Sequence, residues 1–376
     1  MRLNQLTLKQ FRNYNDLVIE FSPGINLFVG QNAQGKTNLL ESIYLLSLTK
    51  SHRTNVDREL IQWQEKESLL KGAISSKTNH LQLSVHLKNK GKMVSINRLN
   101  QSRLSHYIGQ LNVILFAPED LALIKGAPQM RRLFLDREIG QLNALYLSHS
   151  VNYKKVLRQR NRYLKDLNRK YETDLIVLDI LTEQLVEHAA YLIFERKNFM
   201  QSLEQIAGPL HQKISGKLEH LTLKYHASVP LDNSITIEQV KEQLVKEMAK
   251  QQSKEIERES TLTGPHREDF SCELNGKDVQ TFGSQGQQRS TVLSLKLAEI
   301  ELAHELTGEY PLLLLDDVLS ELDDGRQTFL LQTIENKVQT FLTTTSLAGI
   351  RQEFVKNPTI FEIADGKIEN GVCRLK

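Results

Sequence analysis

The segment Gly30-Gln31-Asn32-Ala33-Gln34-Gly35-Lys36-Thr37 has the GxxxxGK[ST] spacing of a phosphate-binding loop. Glycines at 30 and 35 let the backbone turn its N–H groups inward around an anion, and a following helix adds its positive N-terminal end. Lys36 can then reach the β- and γ-phosphates of a nucleotide, and Thr37 offers a hydroxyl to Mg²⁺. About 280 residues later, Leu312-Leu313-Leu314-Leu315-Asp316-Asp317 sets two carboxylates at the end of an apolar run. Asp316 is suited to hold Mg²⁺ or its water, and Asp317 to orient the attacking water. Lys36 and Asp317 are therefore the candidate catalytic residues, and Thr37 and Asp316 the candidate metal ligands. Gly30, Gln31, Asn32, Ala33, Gln34, Gly35, Lys36, Thr37 and Asn38 form the candidate ATP-binding set. Many buried strands end in acids, so the acidic run gains its meaning only from the loop.

The flanking residues say which elements must hold these groups. Ile25, Leu27, Phe28 and Val29 form a short apolar run suited to a buried strand, whereas Leu39, Leu40, Ile43, Leu46 and Leu48 recur mostly at helical spacing. A glycine-rich turn capping an ordinary helix would also read this way, but strand–loop–helix is the context that the motif requires. Four leucines suit a strand buried on both faces of a parallel sheet, with its carboxylates at the end where open α/β sheets bind ligands. Between the two motifs, Phe282-Gly283-Ser284-Gln285-Gly286-Gln287-Gln288-Arg289 opens a helical pattern through Val292, Leu295, Leu297, Ile300 and Leu306. That string alone is equally a polar turn capping a helix. In this order it resembles the signature motif of ABC-type ATPases, and Ser320-Glu321-Leu322-Asp323 stands where their D-loop does. A signature helix of this type cannot reach the nucleotide of its own chain. The resemblance implies an ATP-dependent homodimer in which Ser284, Gly286 and Gln287 act in trans, and hydrolysis lets the two halves part.

Further segments extend the likeness. Leu6-Thr7-Leu8-Lys9-Gln10-Phe11-Arg12-Asn13-Tyr14, the loop continued through Glu41, Ser51-His52-Arg53-Thr54, Ala117-Pro118-Glu119-Asp120-Leu121, Arg131-Arg132-Leu133-Phe134-Leu135-Asp136 and Gly264-Pro265-His266-Arg267-Glu268-Asp269-Phe270 resemble, almost end to end, the RecF family of bacterial recombination mediators. That family is related to the SMC-type ATPases. The resemblance implies an α/β fold, an ABC/SMC-type P-loop ATPase head with an inserted, mainly helical second domain. It implies ATP and Mg²⁺ as ligands, and an ATP-gated clamp on double-stranded DNA carrying single-stranded gaps or junctions. It implies RecR and RecO as partners in loading RecA. Asp317 stands where transporters usually carry Glu, and Thr343-Thr344-Thr345-Ser346 offers no switch histidine. A side chain one methylene shorter holds water less closely, so slow hydrolysis is expected. No Q-loop residue is assignable. Two other functions compete: the nucleotide-binding subunit of an ABC transporter, which the helical insert and absent histidine disfavour, and a small-molecule kinase, where the acidic strand normally follows much sooner.

The chain has 376 residues, 40% hydrophobic content and two cysteines a hundred residues apart, Cys272 and Cys373, read as reduced thiols. The amino terminus shows no secretory leader, and no run suits a membrane span, which points to a cytoplasmic protein without a membrane partner. A net charge of +3 does not itself argue for nucleic acid, but its distribution does more. Between Val151 and Lys170, eight basic residues stand against one acid, with Tyr153, Tyr163 and Tyr171 interleaved. Lys154, Arg158, Arg162, Lys165 and Arg169 fall on one helix face. A solvated helix face looks the same; the RecF resemblance tips the reading to DNA.

Three stretches are expected: an ATPase lobe over 1–125, a helical arm over 126–258, and a return to the head over 259–376. Leu178, Leu185, Leu192 and Phe199, seven residues apart, predict a helix seam in the arm, and 231–258 an exposed helix or mobile connection. Strict alternation from Leu81 to Leu87 predicts a half-buried strand. His52 and Arg53 suit either phosphate contact or a helix end, His266 and Arg267 a turn into a strand, and Trp63 a packing anchor.

Overall fold

The computed structural model describes residues 1–346 and 358–374. The chain divides into two compact units, one of Met1–Leu121, Lys213–Gly216 and Arg289–Lys376, the other of Ala122–Gln212 and Lys217–Gln288.

From the amino end, β1 (Arg2–Phe11) and β2 (Tyr14–Glu20) form a hairpin, and β3 (Ile25–Val29) leads through the glycine-rich loop into α1 (Lys36–Leu48). A meander of β4 (Glu67–Ser75), β5 (His80–Lys88), β6 (Gly91–Ile96) and β7 (Leu99–Asn100) follows, then α2 (Leu104–Tyr107) and β8 (Val113–Phe116). The second unit holds α3 (Ala122–Lys125), α4 (Pro128–Leu142), α5 (Ala144–Asn168), α6 (Leu175–Ile214), β9 (Leu221–His226), α7 (Ile237–Glu257), β10 (Asp269–Leu274), β11 (Lys277–Asp278) and α8 (Val279–Phe282). The chain returns with α9 (Gln285–Thr307), β12 (Leu312–Asp316), α10 (Asp324–Ile334), β13 (Thr340–Thr344), β14 (Thr359–Ala364) and β15 (Lys367–Arg374).

Among the described residues, the first unit has two six-stranded sheets. One, ordered β2-β1-β4-β5-β6-β7, is antiparallel; the other, ordered β15-β14-β3-β13-β12-β8, is parallel except for β15. Helix α1 packs against strands of both sheets. That explains why its apolar residues surround it: Leu39, Leu40, Ile43, Tyr44, Leu45, Leu46 and Leu48 are all buried. Each such side chain contributes roughly 1.5–3 kcal/mol of burial. The predicted alternation appears in β5, where Leu83, Val85 and Leu87 are buried, and β12 is apolar on both faces.

In the arm unit, the sevenfold residues Leu178, Leu185, Leu192 and Phe199 are all buried on α6. Residues 237–257 form a helix capped by a Thr236/Gln239 box, with Val240, Leu244 and Met248 inward. The segment 259–288, expected with the head, falls with the arm by compactness. The reason is strand pairing: β10 joins β9 in register Asp269↔His226 to Leu274↔Leu221. Trp63, expected as a packing anchor, is 92% exposed; Leu60 and Ile61 beside it take the core positions instead. Of the signature-helix pattern, Val292, Leu295, Leu297 and Ile300 are buried and Leu306 is exposed. Cys272 is a free, buried thiol, its pKa pushed up to about 12 by burial; the Cys373 side chain lies outside the described residues.

Candidate functional site

The glycine-rich loop leaves the C-terminal end of β3 and turns into α1 at Gly35, whose φ of +114° favours glycine. A side chain at Gly30 would lie 2.2 Å from the Ile363 carbonyl oxygen, so the loop's first position also demands glycine. Neighbouring segments clasp the loop. Tyr14 donates its hydroxyl to Gly35 O at 3.0 Å, and Asn13 Nδ2 donates to Gln34 O at 3.2 Å. Gly366 N donates to Gln34 O at 3.0 Å, and Asp365 N to Gln34 Oε1 at 2.6 Å. Asn13 Oδ1 also accepts from Asn38 Nδ2 at 2.9 Å, fixing the first turn of α1.

Lys36 is nearly buried and folds back onto the loop, its ammonium donating to Gly30 O at 2.5 Å and Gln31 O at 2.7 Å. Burial lowers its pKa, against the raising influence of Asp317 and Asp316. Thr37 Oγ1 donates to Asp316 Oδ1 at 3.0 Å, and Thr343 Oγ1 donates to the same oxygen at 2.8 Å. The Asp317 N–H in turn donates to Thr343 Oγ1 at 2.9 Å. Sheet order explains this convergence, because β13 lies between β3 and β12 and carries Thr343 into the gap. Thr343 is a residue that sequence reading noted only for not being histidine. Asp317 has a left-handed backbone, φ +53° and ψ +23°, a conformation that a short polar residue tolerates better than a longer one.

A second polar cluster supports the first. Arg12 grips Glu41 through two bonds of 2.9 and 2.8 Å, Ser51 bonds the same carboxylate, and Arg53 lies 3.6 Å from it. Burial alone would raise the Glu41 pKa, but hydrogen bonds from Arg12 and Ser51 and the charges of Arg12 and Arg53 hold it below the usual range. Arg53 also donates to Asn38 Oδ1 at 2.9 Å, directly after the loop. The His52 ring sits edge-on to Tyr44, and its buried Nδ1 has no hydrogen-bond partner. Desolvation lowers its pKa, while Glu41 and Asp316 act to raise it.

These residues fit a magnesium-bound polyphosphate. The loop has no room for side chains at its first glycine, an ammonium bound only to backbone carbonyls can turn outward, and a hydroxyl meets a carboxylate at the sheet's C-terminal edge. At the head of α9, Ser284 N donates to Gln287 Oε1 at 2.8 Å and Gln287 N to Ser284 Oγ at 3.3 Å, a capping box. Gln287 Nε2 reaches Glu219 Oε1 at 2.8 Å, and Gly286 lies between them on the first turn. Further along, Arg289 bonds Glu321 at 2.5 Å, tying α9 to the segment after β12.

Lys154, Arg158, Arg162 and Lys165 on α5, and Arg169 at its C-cap, are all exposed. At about 100° per residue they span an arc of roughly 80°. Lys154 is paired with Asp136 at 2.7 Å and Arg169 with Glu259 at 3.4 Å. Arg160, counted among the eight basic residues, is buried and bonded to Glu255 at 2.7 Å. Tyr153 is buried against His266, and Tyr163 donates to Asp174 O, so of the interleaved tyrosines Tyr171 is the exposed one.

The RecF/RecN/SMC N terminal domain profile matches residues 2–366. The DNA replication and repair protein RecF of Enterococcus faecalis is 52% identical over 370 residues, covering 98% of this chain and 99% of that protein. The protein of the same name from Bacillus pumilus is 50% identical over 368 residues, covering 98% of this chain and 100% of its own. A solved structure described as the recombination mediator protein RecF-ATPrS in RecFOR pathway superposes with a TM-score of 0.90 at 34% identity, covering 98% and 97% of the two chains. An SMC head bound to the C-winged helix domain of ScpA shares the fold, with a TM-score of 0.56 at 15% identity over 97% of this chain and 95% of that one. With a parallel sheet holding the phosphate-loop geometry and relatives matched over their full length, the chain belongs to the RecF family of DNA replication and repair proteins, within the wider group of SMC-type ATPase heads.

Proposed function

We propose that this protein is a slowly hydrolysing ATP-gated clamp on DNA, working in recombinational repair with RecR and RecO toward the loading of RecA. The observation that carries the nucleotide half of this reading is the meeting of Thr37 and Thr343 on Asp316 Oδ1, across 279 and 27 positions of chain. Two hydroxyls on one carboxylate oxygen hold that carboxylate at the loop, which suits Thr37 and Asp316 as ligands of Mg²⁺ or its water. Mg²⁺, when bound, neutralises charge on the phosphate oxygens. Lys36 exchanges its two carbonyl acceptors for phosphate oxygens, Gly30 to Asn38 wrap the phosphates, and Asp317 orients the attacking water. Ser284, Gly286 and Gln287 complete the site from a second copy. Solved relatives described as RecF-ATP and RecF-ATPrS in the RecFOR pathway support ATP and the RecR and RecO partnership. The DNA half rests on the family and on the exposed α5 stripe, of which Arg158, Arg162 and Lys165 have no ion-pair partner among the described residues. No described helix is long and apolar enough to cross a membrane.

The test is fluorescence anisotropy of a gapped duplex with and without Mg-ATP, with protein mass followed in the same titration. ATP-dependent binding with a shift from monomer to dimer is expected, and Ser284→Arg should abolish both while sparing ATP binding by the monomer. Neutralising Arg158, Arg162 and Arg169 together should weaken binding and flatten its salt dependence. Dimerisation of Ser284→Arg with ATP would refute the trans assignment, and binding indifferent to ATP would refute the clamp.

A further inference from the structure

One cross-strand row on the antiparallel sheet reads Thr7, Lys71, Ser84 and Ser95 through β1, β4, β5 and β6. The adjoining row, Leu8, Leu70, Val85 and Val94, is buried on the opposite face, as strand alternation requires. On the polar side lies a cavity of about 300 Å³ lined by Lys71, Gln82, Ser84, Ser95 and Arg98. It has no acidic, aromatic or aliphatic wall residue. Three other cations of this sheet are engaged: Lys9 faces Asp16 at 4.0 Å, His86 bonds Glu67 at 3.1 Å, and Lys92 bonds Thr49 O and Asp57. Lys71 and Arg98 have no such partner among the described residues.

The serine hydroxyls and the turn that carries Arg98 are held in place. Ser84 and Ser95 hydroxyls lie 2.6 Å apart, so one donates to the other and the second retains a proton for an incoming acceptor. Arg98 occupies the two-residue turn between β6 and β7, where Asn97 and Arg98 have φ of +49° and +69°. Asn97 exchanges bonds of 2.8 Å with the Gln82 backbone, which anchors that turn on the cavity wall. Such a turn prefers glycine at its second position. An arginine there costs about 1 kcal/mol of backbone strain and contributes nothing to the turn itself.

We propose that this cavity is a phosphate-binding site for the backbone of duplex DNA, resting on the DNA-clamp reading above. Two unpaired cations, a spare hydroxyl and an amide suit an anion; the missing aromatic surface leaves nothing on which a base could stack, so the site contacts backbone and is indifferent to sequence. The test is the salt dependence of duplex binding by the full chain with Mg-ATP, for the natural protein and for Lys71→Thr combined with Arg98→Gly. Glycine suits the turn and threonine the strand, so the fold is kept, and ATP turnover without DNA checks this. The slope of log affinity against log salt should become shallower by roughly 1 to 2, since each phosphate contact contributes about 0.9. An unchanged slope while the natural protein binds DNA overturns this site and leaves the clamp standing; failure of the natural protein to bind DNA overturns the clamp itself. If the variant loses inorganic phosphate in calorimetry yet keeps the DNA slope, the occupant is a free anion and the DNA assignment is wrong.

Discussion

The loop face of the ATPase unit and the interior of the arm are both dense in charge, but they are built to opposite ends. At the loop, Lys36 donates only to backbone carbonyls, and the Asp317 carboxylate takes no side-chain hydrogen bond among the described residues. In the arm, Asp136 accepts from Arg196, Lys154 and Tyr146, and Glu268 from Tyr225 and the Ser228 N–H. Arg131 grips Asp269 with two bonds of 2.7 Å, and buried Arg160 is shared by Thr182, Thr261 and Glu255. The segments Arg131–Asp136 and Gly264–Phe270 thus bind each other, and their charges are spent on architecture. A group with unfilled hydrogen-bonding capacity can serve a ligand; one that is fully satisfied specifies a fold. Neither case is apparent from a motif string alone.

Replacing the central cation of each region by methionine should separate them most strongly. Arg196→Met leaves buried Asp136 and Glu268 without the cation they share, so the arm should lose roughly 3–5 kcal/mol, read by hydrogen exchange across α4 to α7. Lys36→Met removes a cation whose pKa burial already lowers, so stability should hold or rise. Its ATP hydrolysis should fall by about 100-fold or more, as when an electrostatic donor is lost. Equal losses of stability in the two variants would erase the contrast.

Asp317 sharpens the comparison, because its left-handed backbone is strain held at the loop face. Asp317→Asn keeps that conformation and removes the charge. Turnover should fall about 100-fold, with the ATP-dependent DNA complex persisting longer. Asp317→Glu gains reach but suits the backbone less, and should cost about 1 kcal/mol of stability without restoring fast turnover. A several-fold faster enzyme at unchanged stability would mean that side-chain reach, and not the backbone, limits the rate.

Local pattern made part of this legible. The run Ile25–Val29, the loop and the helix after it, the leucine strand, the alternation of β5 and the sevenfold seam of α6 depend on neighbours within one element, and each stands as read. Thr343 did not stand out, because only the sheet order places β13 between the loop strand and β12. Asn13 was part of a family-like string, but its hold on Gln34 and Asn38 depends on tertiary packing. The same limit hid the pairing of β10 with β9, which draws 269–274 into the arm, and the burial of Arg160 within an otherwise exposed basic run. Trp63 shows the converse: its type suggests a core, and its place in a turn leaves it in solvent.

Acid should loosen the arm in two steps. His266 Nε2 lies 3.1 Å from the Thr261 carbonyl and so carries the proton; Nδ1 then accepts from the Tyr153 hydroxyl at 2.6 Å. Burial pushes its pKa down to about 4, helped by Arg267, Arg132 and Arg196. A depressed pKa means that its stabilisation is complete above about 6.5, the value in an unfolded chain, and is lost as pH falls through 4. The arm should therefore weaken by roughly 2 kcal/mol between pH 7 and 5. Asp136, held at about 2 against the desolvation of burial by Arg196 and Lys154, surrenders its share only between about pH 4 and 2. Hydrogen exchange of the α5 and β10 amides against pH should show these two steps in that order, and His266→Gln should remove the first alone. A first step that persists in His266→Gln would move the titration to another group and leave the Tyr153–His266–Thr261 chain as a pH-independent support.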